Sequence, residues 1–293
     1  MRKNPWIYYG KKLLIFVVSI FLLSVIVFYI ARLAPGDPLV SYYGDRAEKM
    51  TAGERAWAEE KLGLHESIAV QYGKWLGRAV CGDFGISYKY KMDVLEVIEG
   101  RIGNTLLLGG VGFMLIFVLA LLLGIWCAWN EERLIDRVIC KIGTVTSCIP
   151  EFWLSLVLIL IFAVELKVLP SSGAYTIGKG NDLCDRILHL ILPMTVVVLG
   201  HLWYYAYLIR NKLLEEVRTD YVLLAKSKGV TGKSVMFRHC VRNIIPTYLS
   251  IMAISVPHIL GGTYIIEMVF SYPGIGTATT AAALNADVPL LLG

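Results

Sequence analysis

Residues 210–243 read RNKLLEEVRTDYVLLAKSKGVTGKSVMFRHCVRN, a polar stretch set between two apolar segments that are each long enough to cross a membrane. It carries eight Lys/Arg against three Asp/Glu, which marks it as the most cytoplasmic part of the chain. The spacing predicts two short helices. Thr219 or Asp220 can cap the first, with Tyr221, Val222, Leu224 and Ala225 roughly on one face, and Gly229 supplies a left-handed stop. Thr231 can cap a second helix that carries Val235, Met236 and Val241, runs through Asn243, and meets Pro246 at the mouth of the next apolar segment. A helix pair on so short a tether cannot enclose its own core, so it is expected to dock into a partner.

Working outward, the composition agrees with a membrane setting. The 293 residues are 56% hydrophobic and 17% charged, with a mean hydropathy of +0.62, whereas soluble domains carry roughly 25% charged residues. Segments 13–31, 105–129, 142–166, 187–209 and 244–266 read as five spans, and 277–293 as the start of a sixth that the sequence cuts short. The fold class is therefore an all-α polytopic membrane protein with about six transmembrane helices. Arg2, Lys3, Lys11 and Lys12 precede the first span and place the N-terminus inside, while Pro35, Gly36 and Pro38 give a sharp exit from it. Three regions follow from this reading: 1–31 as N-terminal segment and first span, 32–103 as an outer amphipathic region, and 104–293 as the core transmembrane domain containing 210–243.

Within 32–103, helices are expected over 50–64 and 69–80, the latter with Tyr72, Trp75 and Leu76 on one side. Gly82 to Ser87 reads as a glycine-permitted turn into 94–101, or as a partner contact. Gly109, Gly110, Gly112 and Gly124 allow close helix approach in the second span. Residues 130–141 read as a short inner loop and 167–185 as an outer one. In the fifth span, Pro257-His258 and Gly261-Gly262 are expected to break the helix, which makes it a candidate pathway wall.

Polar residues inside the spans mark candidate chemistry. Glu151 follows Pro150 where the pair interrupts the third span. It is either a functional membrane acid or a residue at a helix start near the headgroups, and its closeness to Lys141 favours the latter. His189 and His201 lie twelve positions apart, roughly 18 Å along a helix, so they cannot share a metal and are read as packed or hydrogen-bonded. Cys81 and Cys184 fall on the same outer side, where a disulfide is conceivable. The run from Ser227 to Ser234 is one residue short of a phosphate-binding loop, but a helix rather than a strand is expected before it, so no nucleotide site is assigned. The basic residues lie at membrane edges without interleaved aromatics, which argues against nucleic acid. No nucleophile, base and orienting group share a catalytic spacing, and no metal site is assigned.

Ala225-Lys226-Ser227-Lys228-Gly229, Arg238-His239 and the run Val241 to Pro246 resemble the coupling loop of ABC importer permeases. The resemblance is narrower to the dipeptide/oligopeptide/nickel family. The general importer signature begins Glu-Ala-Ala, and Leu223, Leu224 and Ala225 stand there instead. RLAPGDP at 32–38, GDFGIS at 82–87 and EMVFSYPGIG at 267–276 resemble further signatures of this family, in order along the chain.

The resemblance implies an ATPase-coupling set of Tyr221, Ala225, Lys226, Lys228, Gly229, Arg238, His239, Arg242 and Asn243. It also implies an outer gate or pathway set of Gly261, Gly262, Glu267, Phe270, Pro273, Gly274 and Gly276. This chain would itself hold no cofactor and be no enzyme. ATP and Mg would sit in two ATP-binding partner subunits, beside a second homologous permease completing a heterodimer, an extracytoplasmic solute-binding protein and membrane lipid. The implied setting is a bacterial or archaeal cytoplasmic membrane and the implied cargo short peptides or nickel. A stand-alone channel or secondary carrier, or an importer of another small solute, is the alternative.

Overall fold

A computed structural model describes residues 5–33 and 37–293; Arg2, Lys3, Pro35 and Gly36, used above to orient and end the first span, lie outside the described residues. The helices in chain order are α1 Pro5–Leu33, α2 Pro38–Tyr43, α3 Ala52–Lys61, α4 Ile68–Ala79, α5 Val94–Trp129, α6 Leu134–Ser147 and α7 Glu151–Leu158. They continue with α8 Leu183–Val217, α9 Asp220–Ser227, α10 Gly232–Ser234, α11 Val241–Val269, α12 Ile275–Leu284 and α13 Val288–Leu292. Among the described residues the only extended pairing is a single bridge between Ile86 and Asp93. The architecture is all-α. Four helices are long and apolar enough to cross a membrane, and α6 with the helix from Glu151 to Glu165 makes a fifth if that pair is one span bent by 98°.

The chain divides into two compact units, Met1–Arg101 with Ala278–Gly293, and Ile102–Thr277. In the first, Phe28 of α1 packs on Tyr72 and Trp75 of α4 and on Val288 of α13. The sequence placed those two aromatics on one side of a helix, and the Ser24 hydroxyl joins that of Tyr72 at 2.8 Å. Gly82 and Gly85 both have positive φ, 86° and 90°, and turn the chain toward α5. Asp287, fully buried, then receives hydrogen bonds from the Ser87 hydroxyl at 2.5 Å and the Lys89 amide at 2.9 Å.

The second unit is built on α5, α6, α7, α8 and α11. Gly112 and Gly124 sit where an added Cβ would meet Val197 or Ile209 at 2.8 Å, so the close approach expected of these glycines is realised there, whereas Gly110 faces open space. The third span is interrupted at Pro150-Glu151 as the sequence indicates, since Pro150 is the N-cap of α7 and cannot continue α6. Two expectations need correction. Residues 130–141 are mostly helix, because α6 starts at Leu134 and anchors its first turn through Asp136. The fifth span is unbroken. Pro246 and Pro257 lie inside α11, which continues without interruption from α10 through a π-helical turn at Val235–Cys240. An apolar segment in lipid has no solvent to satisfy freed backbone groups, so the helix persists through its prolines and glycines. Cys81 and Cys184 are both free and exposed.

Candidate functional site

Two places in the second unit carry the polar groups of interest, together with one buried turn. The first is the hairpin of α9 and α10. Thr219 is the N-cap of α9 but its hydroxyl donates backward to the Glu216 carbonyl at 2.6 Å instead of accepting from the helix, and Gly229 ends the helix at φ 79°. The Val230 amide reaches back to the Ala225 carbonyl at 3.1 Å, the closure expected around a left-handed glycine. The Thr231 hydroxyl accepts from the Ser234 amide at 3.4 Å and caps α10. Arg210 does not begin the loop. It belongs to α8, where its guanidinium makes a two-pronged ion pair with Asp136 at 2.7 and 2.5 Å.

The hairpin buries one face on its own chain: Val222, Val235, Met236 and Cys240 join the core cluster formed by α5, α8 and α11. The expectation that it could find burial only in a partner is thus too strong. Leu224, placed on the buried face by periodicity, is 55% exposed, and beside it Leu223 is 58% exposed. Tyr221 donates to Glu216 Oε1 at 2.5 Å, and the Asn243 amide donates to the same oxygen at 3.2 Å, which ties the start of α9 to the start of α11. Burial, with the bond to Glu216 next, pushes the Tyr221 phenol up to about 12. His239 lies 6.5 Å from the Tyr221 ring, while Lys226, Lys228, Arg238, Arg242 and Asn243 are exposed. The exposed apolar side chains of this segment are Leu223 and Leu224 with Phe237 further on, and exposed cations accompany them. The helix before Ser227 also removes the strand that a phosphate loop requires.

The second place is a cleft of about 990 Å³ among α6, α7, α8 and α11. Glu151, His201, Ser255, His258, Gly261 and Gly262 line it together with Tyr204, Tyr205 and aliphatic side chains. Glu151 Oε1 lies 3.3 Å from His201 Nδ1, and the His201 and His258 rings meet edge to face at 5.4 Å. His189 bonds its Nδ1 to the Asp185 carbonyl at 2.9 Å, the hydrogen-bonded role read from sequence. The neighbourhood of Glu151 and His201 was not legible, because fifty positions separate them in the chain.

The remaining predicted gate residues gather in the buried turn after α11. Glu267 and Phe270 are buried, and Glu267 Oε1 accepts from the Thr105 hydroxyl at 2.7 Å while Oε2 accepts from the Thr277 amide at 3.3 Å. Gly274 and Gly276 leave room for that carboxyl group, which a Cβ at either position would strike. Asn104 donates to the Pro273 carbonyl at 2.9 Å. The predicted gate set therefore falls into two places: Gly261 and Gly262 on the cleft, and Glu267, Phe270, Pro273, Gly274 and Gly276 in this turn.

Residues 120–293 match the family model described as binding-protein-dependent transport system inner membrane component. The chain is 32% identical over 271 residues to the oligopeptide transport system permease protein AppB of Bacillus subtilis, covering 92% of this chain and 85% of that one. It is 29% identical to the probable peptide ABC transporter permease protein y4tP of Sinorhizobium fredii, over 97% of this chain and 90% of the relative. A putative peptide permease protein of Brucella suis is 31% identical over 96% and 88%. Among solved structures, inward-facing MetNI methionine ABC transporter is similar in fold, with a TM-score of 0.52 and 17% identity over 68% of this chain and 88% of that one.

Proposed function

The chain belongs to the family of inner membrane components of binding-protein-dependent transport systems, and from that premise we propose that it moves short peptides through the membrane as one of two different permease subunits. It is a multi-pass permease subunit of an ABC importer, and ATP hydrolysis belongs to separate subunits. Family membership also brings ATPase and binding-protein partners in general. The finer assembly is our reading: a second homologous permease, two ATP-binding subunits holding ATP and Mg, an extracytoplasmic solute-binding protein, and a bacterial cytoplasmic membrane with the N-terminus inside.

The observation that carries the coupling role is the α9–α10 hairpin, anchored on its own bundle by Val222 and Met236 while presenting Leu223, Leu224 and flanking cations outward. A pair of exposed leucines beside charges on an otherwise anchored element is what a docked partner would cover. Because α8 and α11 leave the hairpin directly, displacement of it by a nucleotide-dependent partner would shift the two helices that line the cleft. Peptides are preferred to nickel as cargo for two reasons. The relatives bear peptide names, and among the described residues no three His, Cys, Asp or Glu are grouped to hold a metal ion.

The test is uptake of a labelled dipeptide and of radiolabelled nickel by cells with and without this chain, each with ATP-depleted controls. Loss of ATP-dependent dipeptide uptake alone is expected. Loss of nickel uptake alone would reverse the cargo assignment, and uptake that survives ATP depletion would support a channel or secondary carrier.

A further inference from the structure

We propose that Glu151 and His201 form a subsite in the cleft that receives the ammonium group of the cargo; this rests on the peptide reading above. Among the described residues the lining of the cleft contains one acid, Glu151, and no Lys or Arg. A single carboxylate within apolar and aromatic walls, with no fixed positive charge among its neighbours, favours a cationic guest over an anionic or neutral one.

The geometry assigns donor and acceptor roles. His201 Nδ1 lies 3.1 Å from the Val197 carbonyl, which can only accept, so Nδ1 carries the proton in that bond. In the neutral ring Nε2 is then left as an acceptor. The edge of the ring carrying Nε2 borders Gly262, where a Cβ would be 3.8 Å away, and Gly261 beside it faces open space. Glu151 Oε1, 3.3 Å from Nδ1, helps to hold the ring in that orientation. The site thus offers the Glu151 carboxylate as the acceptor for an ammonium group, with the His201 ring holding that carboxylate from its Nδ1 edge.

The position of Glu151 is itself built. Gly200 lies against its carboxyl group so closely that a Cβ there would collide with Glu151 Oε1. His201 and His258 meet edge to face at 72°, and among the described residues no three His, Cys, Asp or Glu are grouped to hold a metal ion. That favours an ammonium group over a coordinated metal. A volume of about 990 Å³ lies within the usual range of small-ligand sites and leaves room for a dipeptide beyond its amino end.

The experiment uses the assembled importer in cells and compares import of a free-amine dipeptide with that of its des-amino analogue. Each flux is normalised to the affinity of the separately purified binding protein for the same compound. Wild type should favour the free amine, and Glu151→Gln should lower the flux ratio about tenfold, the loss expected for one charge-assisted hydrogen bond. Each ratio is internal to one variant, so a lower yield of folded complex does not move it. Gly200→Ala provides a second reading if Glu151→Gln fails to assemble, because it displaces the carboxylate while keeping its charge, and it should lower the ratio in the same direction. An unchanged ratio in an assembled variant, with peptide import intact, overturns the subsite alone. Import of neither compound by wild type overturns the peptide reading together with it. Nickel import that depends on Glu151 would replace the ammonium by a metal cation and likewise overturn the proposal.

Discussion

Asp136 is 2% exposed, and its partner Arg210 is held by both of its carboxylate oxygens. Removing one member of such a pair strands the other charge away from water, at a cost of about 3–5 kcal/mol, whereas replacing both by apolar groups costs less. Asp136→Ala should therefore lower the detergent-solubilised unfolding midpoint more than the double change Asp136→Leu with Arg210→Met; an equal loss in the two would deny the pair this role. Gly276 makes a second residue-level case. A Cβ there would lie 2.6 Å from the Tyr264 Cα, backbone that cannot yield, so Gly276→Ala should destabilise by about 1–3 kcal/mol. Gly261→Ala, with nothing within 4 Å, should leave the same midpoint unchanged. Sequence marked Glu151 as an unusual acid because the cost of charge inside a span is visible in one dimension, and Glu267 through the family-like run that it begins. Their partners were not visible, since His201 and Thr105 are brought near by helix packing and by no local pattern.

At the scale of the element, apolar length located the spans, and their ends were misjudged wherever a helix carries its hydrogen bonding on into polar residues, as α8 does through Arg210 to Val217. Gly229 and Thr231 were legible because a left-handed φ and an N-cap are local requirements with few residue solutions. Leu224 was misplaced because an eight-residue helix gives only two turns of periodicity, too few to separate the buried face from its edge. That error is informative, since an apolar side chain left out on an anchored helix is available to a partner. Changing Leu223 and Leu224 together to Asp should abolish co-purification of the ATPase subunits while membrane insertion continues, because neither side chain is buried within the chain. Retained co-purification would move the docking surface elsewhere. Gly229→Ala should cost about 1–2 kcal/mol through the left-handed backbone alone. Its readout is faster amide hydrogen exchange at the end of α9, with protection in α8 unaltered.

For the whole molecule, alternation of apolar and polar segments conveyed the membrane class, and the division into two units was the part sequence reading could not supply. Residues 278–293 belong with 1–101 across nearly the full length of the chain, through Asp287 buried against Ser87 and Val288 against Phe28. No local pattern announces such a return. Sidedness, in contrast, follows from lengths already in hand. The 35 residues of α8 extend roughly 52 Å at 1.5 Å per residue, well beyond a hydrocarbon core of about 30 Å, so its two ends face opposite sides of the bilayer. Cys184 stands exposed at one end, and the basic hairpin follows the other. If the Lys/Arg excess of 210–243 puts the hairpin in the cytoplasm, Cys184 faces outward, as does Cys81 between the first two spans. In single-cysteine variants of an otherwise cysteine-free chain, a membrane-impermeant maleimide added to intact spheroplasts should label Cys81 and Cys184. Lys228→Cys in the same background should react only after permeabilisation. Labelling of Lys228→Cys in intact spheroplasts would invert the orientation and remove the hairpin from reach of any cytoplasmic ATPase, so this one experiment bears on both topology and coupling.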